Sequence, residues 1–287
     1  MQLTEKQAFV GEPTTFRRVQ WTRLLVPALA LAYLGIVLLA PLFGLVRAVW
    51  DSGLAEVLEA LNKPSALEAI EMTGILIVCS VVINGVVGTS AALVLVRQRF
   101  WGREWVNALF DLPIAISPVM IGLGFLLLIG RQGVLGPLLD ELGIKMTFAF
   151  PGLLIGTLFV TLPYTVREVG YVLEEIGTSE EEAAATLGAS PLRTFWKVTL
   201  PNIRIGLSYG LLMTVARTVG EFGAVLVLGG SISGRTQTAS TFIHDAIEER
   251  QPAEAYGMAL LLSLVSIVLL LFLEQFKKQR GSHGHRR

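Results

Sequence analysis

The chain has 287 residues, with 23 Lys plus Arg against 23 Asp plus Glu and so no formal net charge. Hydrophobic residues make up 53% and charged residues 16%, against roughly 25% charged in an ordinary soluble domain, and mean hydropathy is +0.62. These values exclude a disordered chain and a coiled coil and argue against a soluble enzyme; without clustered basic charge, nucleic acid is no partner either.

In chain order, residues 1–23 read as a cytoplasmic tail. Residues 24–46 carry no charge and reach the roughly 20 residues a helix needs to span hydrocarbon. The run is too long for a signal h-region and holds Pro27 and Pro41, so it reads as a retained first span. Further spans are expected at 72–96, 112–130, 146–166, 203–230 and 255–273, the fifth interrupted by Arg204, Arg217 and Glu221. Only helices or closed barrels satisfy backbone groups in lipid, and strand alternation is missing. The expected fold is an all-α integral membrane protein with about six transmembrane helices. Cys79 is the single cysteine and lies inside an apolar run, so no disulfide framework and no cysteine metal site is possible.

Sorting the cations by loop gives 16 on the side of both termini and the fourth-to-fifth loop, and 6 on the other side. The positive-inside rule puts the first group, and so both termini, in the cytoplasm. Residues 276–287 then form a second cytoplasmic tail, expected to be disordered from 281 on. No internal repeat is visible. There is no G-x-x-x-x-G-K-[ST] and no Gly-Lys pair, so no phosphate loop. His244, His283 and His285 have no metal-ligand spacing, and no metal or cofactor is expected on the chain.

The loop 178–201 reads TSEEEAAATLGASPLRTFWKVTLP. It predicts two short amphipathic helices. Thr178 with Glu181, or Ser179 with Glu182, fits a capping box. Glu180 to Glu182 suit the positive end of a helix, and Gly188 suits the left-handed residue that ends it. Ser190 then caps a second helix with Pro191 at its first position. Phe195, Trp196 and Val198 give that helix an apolar face. The result is a compact knob suited to a groove on a cytoplasmic partner.

Glu182, Ala183, Ala184, Gly188, Val198, Leu200 and Pro201 match the spacing of the EAA loop of ABC-importer permease subunits. The resemblance extends along nearly the whole chain, through FDLPIAISPVMIGL (110–123), FVTLPYTVREV (159–169), LGASPLRTFWKVTLPNIR (187–204) and ARTVGEFGAVLVLGGSISGRT (216–236). With these segments the chain resembles the W-type permease subunits of sulfate/thiosulfate importers. Molybdate permeases and the paired T-type subunits are similar in the first two segments and the GEFGA core. The resemblance implies a type I ABC importer permease fold over 66–275, with Glu181, Glu182, Ala183, Ala184, Gly188, Leu200 and Pro201 coupling it to an ATPase. It implies no catalysis by this chain, with ATP used by a cytoplasmic ABC ATPase dimer. It also implies a paralogous T-type permease, a periplasmic sulfate-binding protein, and a bacterial-type inner membrane. A molybdate or tungstate permease, or more remotely an ion-coupled secondary transporter, remains the alternative.

Arg217 and Glu221 lie four apart on one helix face and can pair. A lone charge at mid-bilayer costs about 2.5–3.5 kcal/mol on insertion scales. The pair either fixes helix packing or serves an anion path, with Arg217 raising its potential and Glu221 positioning the guanidinium or closing a gate. Ser117, Ser208 and Thr214 are candidate path hydroxyls, with Asn84, Thr89 and Ser90 weaker; each is also explicable as small-residue packing. Pro113, Pro118 and Pro163 are candidate bends. The segment 231–251 is expected outside the membrane, helical over 236–249.

Overall fold

Among the described residues every regular element is a helix, as the charge-free runs require. The computed structural model describes residues 18–283, with side chains from 25 to 275. The tail readings at 1–17 and 284–287, His285 among them, lie outside the described residues. The chain divides into two units, one ending at Asp51 and the other beginning at Ser52. The first unit holds α1 (Arg18–Ser52) as far as Asp51, with Pro27 and Pro41 inside the helix and an Arg47–Asp51 pair at 3.7 Å. Its apolar stretch Leu25–Ser52 is 28 residues long, about 42 Å at the rise of an α-helix. It outruns the expected 24–46 at its far end.

The second unit opens with α2 (Leu54–Leu61). Then α3 (Pro64–Ile83), a π turn (Asn84–Gly88) and α4 (Thr89–Arg97) form one span of 34 residues. α5 (Arg103–Ala115) and α6 (Pro118–Ile129) meet at 117°, so the run expected at 112–130 is not one straight helix. Pro118 sits at the first turn of α6 and cannot supply the amide that would continue α5. A short α7 (Gly136–Glu141) leads to α8 (Phe150–Ile176), which continues well past the expected end at 166. After α9 (Ser179–Thr186) come α10 (Pro191–Thr194), a second π turn (Phe195–Thr199) and α11 (Leu200–Val219) without interruption. α12 (Gly223–Gly229) follows at a bend of 59°. α13 (Ala239–Glu248) has the Thr238–Thr241 capping box, and α14 (Pro252–His283) runs into the stretch expected to be a disordered tail. Among the described residues four helices are long and apolar enough to cross a membrane, or six spans if each bent pair counts once. The protein is therefore a multi-pass membrane protein, as the sequence predicts.

Small residues set the centre. On α11, Gly206, Gly210, Thr214 and Thr218 recur every four residues and are all buried. This stripe lets α8 approach closely, as in lipid-embedded bundles where backbones pack over small side chains. A Cβ on Gly210 would stand 2.9 Å from Thr165 Cα. Toward the α9 end, Val166, Val169, Val172 and Leu173 of α8 pack with Ala92 and Leu95 of α4 and Ile203 of α11. At the opposite end Lys63 donates to Glu254 Oε1 at 2.6 Å, tying the start of α3 to α14. That hydrogen bond and charge raise the Lys63 pKa above its ordinary value.

Candidate functional site

The knob after α8 has a different internal construction from the one its sequence predicts. Neither capping box forms: Thr178 has no cap bond, and its hydroxyl donates to Glu182 Oε1 at 2.6 Å. Glu181 turns inward instead. Its Oε2 lies 3.0 Å from Arg97 Nε, and its Oε1 accepts the Thr199 hydroxyl at 2.8 Å. A charge-assisted bond to a partly buried guanidinium is stronger than an exposed amide cap. Arg97 also donates to the carbonyls of Leu173 at 3.1 Å and Gly177 at 2.6 Å. One arginine at the end of α4 thus holds the end of α8 and the body of α9, while Thr199 joins them to the foot of α11. Glu180 Oε2 adds a bond from Asn202 Nδ2.

Gly188 takes φ +80° and ends α9 as expected. The second short helix is not separate, because α10 runs through the π turn into α11. The knob is one short helix plus the exposed end of a membrane helix. Glu182, Ala183, Gly188 and Pro201 are exposed, while Ala184 and Leu200 are half-buried. The apolar tip is open: Leu187 is 88% exposed, Leu192 69% and Trp196 60%. Phe195 and Trp196 meet edge to face, with centroids 5.5 Å apart.

The second candidate region lies where two helices break. Gly223, at the start of α12, sits against the start of α6, and a Cβ there would come 2.8 Å from Val119 Cγ2. Beside it Arg217 Nη2 pairs with Glu221 Oε2 at 2.9 Å. The Glu221 side chain is fully buried; its Oε1 accepts the Ala224 amide at 3.0 Å, and its carbonyl accepts the Ser240 hydroxyl at 2.6 Å. Glu221 therefore staples the break to α12 and α13, while the Arg217 side chain stays 29% exposed.

The path hydroxyls separate on burial. Ser117 is exposed at the α5–α6 break, and Ser208 is half-buried on α11. Thr214 has no exposed surface. It receives a bond from Asn84 Nδ2 at 3.4 Å, shares one with Thr165 at 3.2 Å and donates to the Gly210 carbonyl at 3.1 Å. Asn84 also donates to Thr161 at 2.8 Å. Thr214 belongs to the polar seam joining the α3–α4 turn, α8 and α11, not to an open path in this conformation. Thr89 is buried in the same way, and Ser90 is bonded to the Val86 carbonyl.

Sequence reading missed Arg97, which counted only as a loop cation, and Thr199. It also missed Arg167, whose guanidinium holds α5 to α8 through Asp111 Oδ1 at 2.8 Å and the Asn107 side chain and carbonyl at 2.8 and 3.0 Å. The signal was an arginine just past an apolar run with acidic or amide partners near a neighbouring run's end. Among the described residues no group of three His, Cys, Asp or Glu could hold a metal ion.

Residues 84–279 match the family described as "Binding-protein-dependent transport system inner membrane component". The chain is 42% identical over 274 residues to the "Sulfate transport system permease protein CysW" of Synechococcus elongatus, covering 93% of this chain and 96% of that protein. It is 37% identical over 271 residues to the CysW protein of Escherichia coli K12, covering 94% and 93%. It is 33% identical over 258 residues to the "Sulfate transport system permease protein CysT" of Salmonella typhimurium, covering 89% and 93%. Among solved structures, a chain of a bacterial ABC transporter involved in the import of the acidic polysaccharide alginate superposes with a TM-score of 0.75 over 91% of this chain and 96% of that one. At 18% identity that likeness concerns the fold alone. With a family match over more than half its length and near-full-length relatives at 37–42% identity, the chain belongs to the inner-membrane components of binding-protein-dependent transport systems.

Proposed function

We propose that this chain is one of two permease subunits of an ATP-driven importer of sulfate or thiosulfate, working by alternating access. The names of its W- and T-type relatives support the substrate and a paralogous rather than identical partner. The chain does no chemistry itself: a cytoplasmic ATPase dimer supplies the energy, and a soluble sulfate-binding protein delivers the anion to the outer face. Both termini and the 178–201 knob then lie in the cytoplasm, in keeping with the 16-to-6 division of cations.

One observation carries the mechanism. The knob is rigidly joined to two spans, to α11 by an unbroken helical rod from Pro191 and to α4 by the Arg97–Glu181 bridge. An ATPase gripping the exposed Leu187–Trp196 tip would turn both spans together. That rotation reaches the α11–α12 break, where Arg217 offers positive charge to a divalent anion and Glu221 fixes the guanidinium. Ser117 and Ser208 replace part of the anion's water. Labelled sulfate and molybdate uptake into proteoliposomes carrying the whole complex tests this reading. ATP-dependent sulfate uptake is the expected result. Preferential molybdate uptake overturns the substrate, and uptake without nucleotide overturns the mechanism.

A further inference from the structure

The corner between α4 and α5 plays no part in the mechanism above, yet it holds an open groove of about 710 Å³. Its lining includes Arg99, Trp101, Arg103, Glu104 and Trp105. Trp101 is 100% exposed and Trp105 83%. A soluble protein rarely leaves two indoles so bare. Here the corner directly follows the charge-free run 72–96 within the apolar span that ends at Arg97, which sets it near the boundary between hydrocarbon and water. Indoles concentrate at that depth.

Two features select the occupant. Neither the Arg99 nor the Arg103 guanidinium forms an ion pair among the described residues. The groove's single carboxylate, Glu104, leaves a net positive charge. From the groove, Trp105, Leu109 and Leu112 continue along α5 at i, i+4 and i+7, exposed by 83%, 58% and 37%. A cationic mouth opening onto an apolar ridge fits a headgroup phosphate with acyl chains behind it. A soluble partner would have no use for the ridge.

We infer that the Arg99–Trp105 corner is a binding site for an anionic phospholipid, with the phosphate between Arg99 and Arg103, the indoles of Trp101 and Trp105 flanking the headgroup, and one acyl chain along Leu109 and Leu112. The site anchors the α4–α5 corner while α4 moves with the knob. It follows from the fold alone and does not depend on which anion is transported.

Dibrominated lipids quench nearby indoles and provide the test. The assembled complex is placed in bilayers with increasing dibromo-phosphatidylglycerol or dibromo-phosphatidylcholine. The signal of the corner is the fluorescence difference between the native complex and the W101F/W105F variant. The phosphatidylglycerol curve should half-saturate at a mole fraction lower by about 25-fold, the product of the two arginines. R99Q/R103Q should remove that preference, by about fivefold for each arginine, whereas R99K/R103K should retain most of it and R235Q, on another loop, all of it. Equal curves for the two lipids in the native complex overturn the inference, as does a preference that survives R99Q/R103Q. Absence of quenching by either lipid means protein covers the corner, and also overturns it.

Discussion

Replacing Glu181 by alanine cuts the joint between knob and span while leaving the exposed grip untouched. The variant loses the 3.0 Å pair with Arg97 and the 2.8 Å bond from Thr199. Removing one partner of a buried pair costs roughly 3–5 kcal/mol, and of an exposed pair about 0–1. Arg97 and Glu181 are 17% and 22% exposed, and Arg97 keeps its two carbonyl acceptors, so about 1–2 kcal/mol is lost from the pair. The Thr199 bond adds about 1 kcal/mol. A total near 2–3 kcal/mol shifts the balance between fastened and loose α9 by about 30- to 150-fold. The core of α4, α8 and α11 is untouched, so the complex should still assemble. The assay is ATP hydrolysed per labelled sulfate imported in proteoliposomes. Hydrolysis should persist, and import per ATP should fall at least about tenfold. Glu181→Gln, which keeps an acceptor for Thr199, should fall between. A native ratio in Glu181→Ala refutes the bridge as a transmission element.

Gly210→Ala drives a methyl into the backbone of α8 at Thr165; overpacking of this kind costs about 1–3 kcal/mol. It should lower the thermal midpoint of the solubilised complex, and an unchanged midpoint contradicts the close approach. Arg217→Ala strands the buried Glu221 carboxylate, a loss of about 3–5 kcal/mol, and should reduce the yield of assembled complex. R217A/E221Q should restore assembly but not sulfate import; restored import would reduce the pair to a strut. Asn84→Ala removes the bonds to Thr161 and Thr214, about 1–3 kcal/mol, and should speed amide exchange in the α3–α4 turn, where native-like protection would show the seam to be dispensable.

The spans were legible because charge-free runs of sufficient length have few alternatives in lipid. Their ends were less so. α8 runs past 166 because its later turns, though they carry Arg167 and Glu168, remain packed on α4 through Val169 and Leu173. Pro118 and Gly223 marked weak points, but a 117° turn depends on what packs across it. Gly188 and the Ser190–Pro191 corner announced the knob. Which of three successive glutamates would turn inward was not written locally, since all three have the same helix preference. Arg97, 84 positions before Glu181, decides it. Thr214 had the right chemistry for a path, yet the stripe through Gly206 and Gly210 brings α8 over it and leaves it no solvent.

Transport by this mechanism requires that the knob's tip meet an ATPase. Leu187→Cys in a Cys79→Ser background places a single thiol of this chain at that tip. With the assembled complex in membranes, a short bifunctional thiol reagent should link it to the ATPase subunit, with a yield that changes when nucleotide binds. A thiol that forms no such link, and instead reacts in intact cells with a membrane-impermeant reagent from outside, would contradict the account.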